Sequence, residues 1–476
     1  MGRGRYHRPM RKKILLALAA LGLVFFIWLG LRLPTMLLAA NGYAAKWTCS
    51  NVFVGERTLE QAVGDLPPNP LAKWLSVDLA GDRATARLWG RFTRVAVHRQ
   101  GFGCTLLPPK ADSEALVGVP TLGPTQTAEW LSPGPTVDVP AVEAAIAQAF
   151  DEKDPERAKN TRAVVVVWNG ALIAERYAAD FGPDQRLPGW SMTKSVLNTL
   201  YGRAEHLGLL KRDDRPVIEA WQDGRREINF DHLLRMSSGL AFSENYADLG
   251  SDAVRMLFVS GDTGGFAAQS PLTSTPDTTW YYSSGTSNLL SRELRRILGT
   301  EASLRFAHEQ LFAPLGMSSA LIEPDASGTF VASSFGWATA RDWARFGWFY
   351  LEDGVVDGER LLPEGWVDYS RSPTPAAPRG LYGAQFWLNA GSPEDAEDRR
   401  WPELPPDLYL ASGFDGQAVV IVPSRHAVIV RLGLSQAGSS WSLPDFLLDV
   451  LEALPTELPS ELPESIQQEA SEAFAE

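Results

Sequence analysis

Lysine is scarce in this chain: nine occur in 476 residues and none follows Lys211, so chemistry that needs an amine must draw it from the first half. Cysteine is scarcer, with Cys49 and Cys104 alone. Two thiols cannot hold a structural zinc without histidine help, and the six histidines show no metal-ligand spacing. No metal and no cofactor is expected. A G-x-S-x-G elbow is absent, which argues against a Ser-His-Asp hydrolase. The formal net charge of -13 argues against a broad nucleic-acid surface, because phosphate binding needs clustered Lys and Arg. No internal repeat is evident. With 45% hydrophobic and 21% charged residues, the chain can bury a large core, as one big domain and a smaller one.

One long apolar run is present. Arg3, Arg5, Arg8, Arg11, Lys12 and Lys13 precede an uncharged stretch at residues 14–31, closed by Arg32 and Pro34. That pattern predicts a cytoplasmic basic segment (1–13) and a transmembrane anchor (14–33). The rest would then be exported, giving a single-pass inner-membrane protein with a periplasmic domain and the membrane as a partner. A cleaved signal is the competing reading, since Ala39-Ala40 and Ala44-Ala45 supply small residues. Export would make a Cys49–Cys104 disulfide reasonable.

Residues 46–131 look like a small accessory region with strand-like stretches at 84–88 and 94–98. The proline-bearing run 118–140 reads as a linker. The main domain is expected over 140–455. A helix begins near Val142, and apolar runs at 163–168 and 171–177 flank Asn169-Gly170, the strongest short hairpin signal. Runs at 418–422 and 427–432 form another pair, and 443–454 a closing helix. An antiparallel sheet built from both ends of the domain, with a mainly helical insert, follows: an α+β fold. The tail 456–476, acidic with Pro and Ser, is expected to be disordered.

Ser191-Met192-Thr193-Lys194 is the only place where a serine stands three residues ahead of a lysine. On a helix that spacing puts both side chains on one face, and Val196, Leu197, Leu200, Tyr201 and Ala204 continue at helical period. A lysine with a depressed pKa can deprotonate a serine, and a helix start favours the oxyanion of acyl transfer. In isolation S-x-x-K is common and a serine there is more often a cap. Tyr282, in Trp280-Tyr281-Tyr282-Ser283-Ser284-Gly285, could join the pair as a tyrosinate favoured by the adjacent cation, although core packing accounts for such an aromatic equally well. Ser412-Gly413-Phe414-Asp415-Gly416-Gln417 runs into an apolar strand. There the N–H of Gln417 could complete an oxyanion site with that of Ser191, a plain turn being the simpler reading.

Together these segments resemble the serine beta-lactamase-like superfamily, in the branch with class C beta-lactamases, carboxylesterases and 6-aminohexanoate-dimer hydrolases. Ser191-Met192-Thr193-Lys194 looks like its S-x-x-K, Tyr282-Ser283-Ser284 like its Y-x-N or Y-x-S element, and Phe414-Asp415-Gly416 stands where many members carry K-T-G. The stretch His232-Leu233-Leu234-Arg235-Met236-Ser237-Ser238-Gly239-Leu240, and Thr339-Ala340-Arg341-Asp342 with Phe346-Gly347, extend the similarity over roughly 142–454. The resemblance implies catalysis by Ser191, Lys194 and Tyr282, and substrate or oxyanion contacts from Ser284, Phe414, Asp415, Gly416 and Gln417. Asn245-Tyr246-Ala247-Asp248 looks like the segment whose tyrosine meets the leaving amine of an amide, which makes Tyr246 a further candidate. Asp415 in place of the K-T-G cation would repel a substrate carboxylate. The expected activity is therefore hydrolysis of small linear amides or esters through an acyl-serine. The alternatives are a beta-lactamase or D-Ala-D-Ala peptidase, or a catalytically silent membrane-tethered binding protein. The oligomeric state stays open.

Overall fold

A computed structural model describes residues 8–67, 72–90, 92–109, 122, 138–392, 395 and 397–455. Most of the 118–140 linker and the whole 456–476 tail lie outside the described residues.

A six-stranded antiparallel sheet organises the main domain, in the order Trp387–Leu388, Tyr409–Gly413, Gln417–Val422, Ala427–Gly433, Thr161–Trp168, Ala171–Tyr177. Its first and last thirds of sequence meet where Ala427–Gly433 pairs with Thr161–Trp168. The Thr161–Trp168 strand is buried at every position. A strand covered on both faces reads as a continuous apolar run rather than an alternating one, and the run Val164-Val165-Val166-Val167 has that form. Val164, Val166, Val420 and Ile429 face a layer with the helices Val139–Ala147 and Leu443–Ala453, through Val142, Ile146, Phe446 and Val450. Val165, Val167, Val419 and Val428 face the larger core. On that side lies the helix Ala340–Leu351, whose approach is close enough that a Cβ at Gly347 would sit 2.5 Å from Val428 Cγ1. The hairpin turn falls at Asn169-Gly170, both at positive φ (49° and 78°), as a type I′ turn requires. Between the two halves of the sheet comes the helical insert, with Thr193–His206 and Ser284–Leu298 as its longest helices.

The N-terminal region is a helix, Arg8–Phe53, a short helix, Leu59–Gly64, and a four-stranded antiparallel meander, Leu75–Ala80, Arg83–Leu88, Phe92–Arg99 and Gly103–Leu106. A Cys49–Cys104 disulfide joins the long helix to the last strand. The region is attached to the main domain through buried polar contacts: Lys46 pairs with Glu323, and Arg94 donates to the carbonyl oxygen of Phe258 at 2.7 Å.

The expected membrane anchor is overturned. Among the described residues no helix is long and apolar enough to cross a membrane. The helix carrying the apolar run does not stop at Pro34 but continues to Phe53, and its later turns are packed inside the protein, with Leu37, Ala39, Ala44, Ala45, Trp47 and Cys49 buried. The single-pass inner-membrane address and the membrane partner rested on that anchor and fall with it; residues 1–7 of the expected cytoplasmic 1–13 segment lie outside the described residues. An α+β fold with a helical insert is what the structure has; the transmembrane helix ahead of it is not.

Candidate active site

Ser191 lies not in the α-helix but in a single 3₁₀ turn, Trp190–Met192, that feeds the helix Thr193–His206. The preceding residue, Trp190, has φ +46°, a conformation that costs a bulky residue on the order of 1–3 kcal/mol and persists only when packing over-determines it. The packing is visible. The Trp190 ring stacks on Trp47 (5.8 Å between centroids) and Tyr43 (6.5 Å), both from the long N-terminal helix, and meets Phe335 and Phe414 edge-on. Thr193 pins the turn from the other side: its hydroxyl donates to the Trp190 carbonyl at 2.6 Å and accepts from the Gly336 N–H at 2.8 Å.

Lys194 is 1% exposed. Its Nζ reaches Ser191 Oγ at 3.0 Å, Ser284 Oγ at 3.0 Å and the Ser333 carbonyl at 2.8 Å, and sits 4.9 Å from the Tyr282 ring centre. Burial lowers its pKa to about 8, against an opposing pull from Glu244. Ser191 favours the ionised form of the Tyr282 phenol, yet burial and the Glu244 charge push it well above the usual range. That reverses the expected tyrosinate: the nearby ammonium does not outweigh desolvation, so Tyr282 is held neutral.

The 413–417 turn reaches the same spot. A Cβ at Gly413 would stand 2.2 Å from the Gly189 carbonyl oxygen, so only glycine lets this strand end lie against the Ser191 turn. The Gln417 side chain is occupied: Nε2 donates to the carbonyls of Phe414 (3.0 Å) and Gly433 (2.6 Å), and Oε1 accepts from the Gly433 N–H. Buried Arg431 donates to the carbonyls of Asp415 (3.1 Å) and Gly416 (3.0 Å), holding the turn from behind. Burial raises the Asp415 carboxyl to about 7, with Arg162 and Arg431 opposing, so it is a weaker source of negative charge than an ordinary aspartate. Phe414 is half exposed and packs on Tyr246 at 5.7 Å.

Sequence reasoning missed Glu244. Its carboxylate accepts from the Ser284 N–H (2.8 Å), the Ser284 hydroxyl and the Tyr246 hydroxyl (2.9 Å), and Ser284 in turn accepts from Lys194, which ties two of the candidates to the amine. Its only signal in the sequence is adjacency to Asn245-Tyr246. Among the described residues no cluster of three or more His, Cys, Asp or Glu is arranged to hold a metal ion.

This fold, with a serine, a buried lysine and a tyrosine meeting at one turn, defines a beta-lactamase-like hydrolase. The Beta-lactamase family model matches residues 146–438, more than half of the chain, and the protein belongs to that family. It is 26% identical over 349 residues to the 6-aminohexanoate-dimer hydrolase of Paenarthrobacter ureafaciens, covering 62% of this chain and 79% of that one. Solved structures share the fold. A candidate 6-aminohexanoate-dimer hydrolase from Bacillus anthracis aligns with a TM-score of 0.54 at 20% identity, over 70% of this chain and 90% of that one. A family VIII carboxylesterase aligns at 0.50 and 16% identity, over 69% and 99%.

Proposed function

We propose that the protein hydrolyses small linear esters or amides through an acyl-Ser191 intermediate. The observation that carries this reading is the buried Lys194 amine, 3.0 Å from Ser191 Oγ and with its pKa lowered to about 8. Neutral Lys194 takes the Ser191 proton as Oγ attacks the carbonyl carbon. The N–H groups of Ser191 and Gln417 receive the oxyanion. As the bond to the leaving group breaks, neutral Tyr282 donates its proton to that group and is reprotonated from Lys194. Water then attacks the acyl-enzyme by the same route in reverse, restoring Ser191. Ser284, shared by Lys194 and Glu244, fixes the amine in place, and the Tyr246 hydroxyl stands beside Ser284 at 3.2 Å.

Beta-lactam hydrolysis is the weaker reading of the same site. The K-T-G position holds Phe414-Asp415-Gly416, and the nearest buried cation there, Arg431, is already spent on backbone carbonyls. The test is a panel of p-nitrophenyl esters, linear amides and a chromogenic cephalosporin, with wild type and Ser191→Ala, together with fluorophosphonate labelling. Ser191→Ala should lower ester or amide turnover on the order of 10⁴-fold. Near-normal turnover in that variant, or no labelling of wild-type Ser191, would refute the reading.

A further inference from the structure

A cavity of about 420 Å³ opens at Ser191. Part of its wall comes from outside the family-matched region: Ala40, Tyr43 and Ala44 of the long N-terminal helix, Val63 and Leu66 at the short helix, and Val77 of the first meander strand. The rest includes Trp190, Tyr246, Phe258 and Phe414. Among the described residues no Asp, Glu, Lys, Arg or His lines it. The alanines on the helix leave the space; the leucine and valines across from them make it greasy.

Resting on the serine hydrolase reading, we propose that this N-terminal region supplies the acyl pocket, and that it selects an uncharged alkyl acyl chain of medium length. The side of the bond follows from Tyr282. That phenol, the group placed to protonate the leaving group, is packed away from the cavity against Trp387 and Tyr382, whereas the cavity wall includes Ser191 and not Tyr282. The chain that remains on the serine therefore points into the cavity. At about 30 Å³ per water-sized group, the volume holds a chain on the order of ten carbons. A terminal ammonium or carboxylate would lose its hydration with no partner in the walls, so charged acyl groups are rejected.

The experiment is a chain-length profile of kcat/KM on p-nitrophenyl esters from acetate to laurate, with 6-aminohexanoate beside hexanoate, for wild type, Ser191→Ala, Ala40→Trp and Leu66→Ala. In wild type, kcat/KM should rise about fourfold per methylene until the cavity is full, and hexanoate should exceed 6-aminohexanoate at least a hundredfold. Ala40→Trp should move the maximum to shorter chains and Leu66→Ala to longer ones. The second variant keeps the test decisive if the first fails to fold. A Ser191-dependent hydrolase with its maximum at acetate, or a maximum that neither variant moves, overturns the pocket while leaving the hydrolase reading intact. Turnover independent of Ser191 overturns the hydrolase reading itself. A parallel series of alkyl acetates should be flat; a rise there with alcohol length, and none with acyl length, overturns the acyl assignment.

Discussion

Glu244 accepts both hydrogens that Ser284 offers, from its backbone N–H at 2.8 Å and from its hydroxyl, while the same hydroxyl oxygen accepts from Lys194 at 3.0 Å. One carboxylate thus sets both the position of the serine between them and the field felt by the amine. Burial lowers the Lys194 pKa to about 8 and Glu244 works against that shift, because a negative charge favours the ammonium. If the neutral amine is the base, kcat/KM must climb with pH through an apparent pKa near 8 and fall about tenfold per pH unit well below it. Glu244→Gln removes the opposing charge, so the ammonium becomes harder to form and the climbing limb should move to lower pH. Measured pH profiles of the two proteins decide it. An unmoved limb, or one displaced to higher pH, would sink the assignment of Lys194 as base.

The parts of this site that the sequence makes legible are those fixed by short spacing. Ser191 and Lys194 meet because three residues make about one turn, and Asn169-Gly170 marks a hairpin because both residues must adopt positive φ. Glu244 was illegible because one carboxylate among 57 acidic residues has no pattern of its own; only tertiary contact aims it at Ser284. The Tyr282 ionisation was misjudged for a related reason. Spacing suggests the cation beside it, but burial and the Glu244 charge, which decide the direction, are properties of the folded core. The apolar run at 14–31 misled differently: Pro34, read as its boundary, lies inside one continuous helix, Arg8–Phe53, whose later turns are core.

Gly413 provides a test of the architecture that joins the two halves of the site. A Cβ there would stand 2.2 Å from the Gly189 carbonyl oxygen, a backbone atom that cannot swing away, in the residue just before strained Trp190. Gly413→Ala should destabilise the fold by about 1–3 kcal/mol and lower kcat, since the 413–417 turn must retreat from Ser191. Gly182→Ala, where nothing stands within 4 Å of the added carbon, is the matched control and should be near neutral. Urea midpoints and kcat for both variants make the comparison. Equal midpoints would show that the two backbone segments are not held together as described.

The Cys49–Cys104 disulfide closes a loop of 55 residues between the long helix and the meander. Loop-closure entropy assigns such a cross-link about 4 kcal/mol, less whatever structure the reduced chain retains when unfolded. Cys104→Ser should lower the urea midpoint correspondingly, and adding reductant to the wild type should reproduce the shift. The backbone N–H of residue 104, which donates to Glu323 at 2.6 Å, survives that substitution and should limit the loss to the cross-link. Midpoints indifferent to both treatments would mean that the bridge carries no stability.

Lys46 and Glu323 carry the last prediction, because they bind the N-terminal region to the hydrolase domain from within. Lys46 donates to Glu323 and to Ser50 at 2.8 Å, and Glu323 also accepts from Ser50 (2.7 Å), the Cys104 N–H (2.6 Å) and Trp337 Nε1 (2.9 Å). Removing one partner of a buried pair leaves the other charge uncompensated, at about 3–5 kcal/mol, whereas replacing both is far cheaper. Lys46→Ala should therefore unfold at much lower urea, and Lys46→Met with Glu323→Gln should recover most of the loss. Activity should track the deficit, since Tyr43 and Trp47, flanking Lys46 on the same helix, are the rings that hold Trp190 in its strained turn beside Ser191. A Lys46→Ala protein of wild-type stability and activity would show that this ion pair does not fasten the region to the active-site turn.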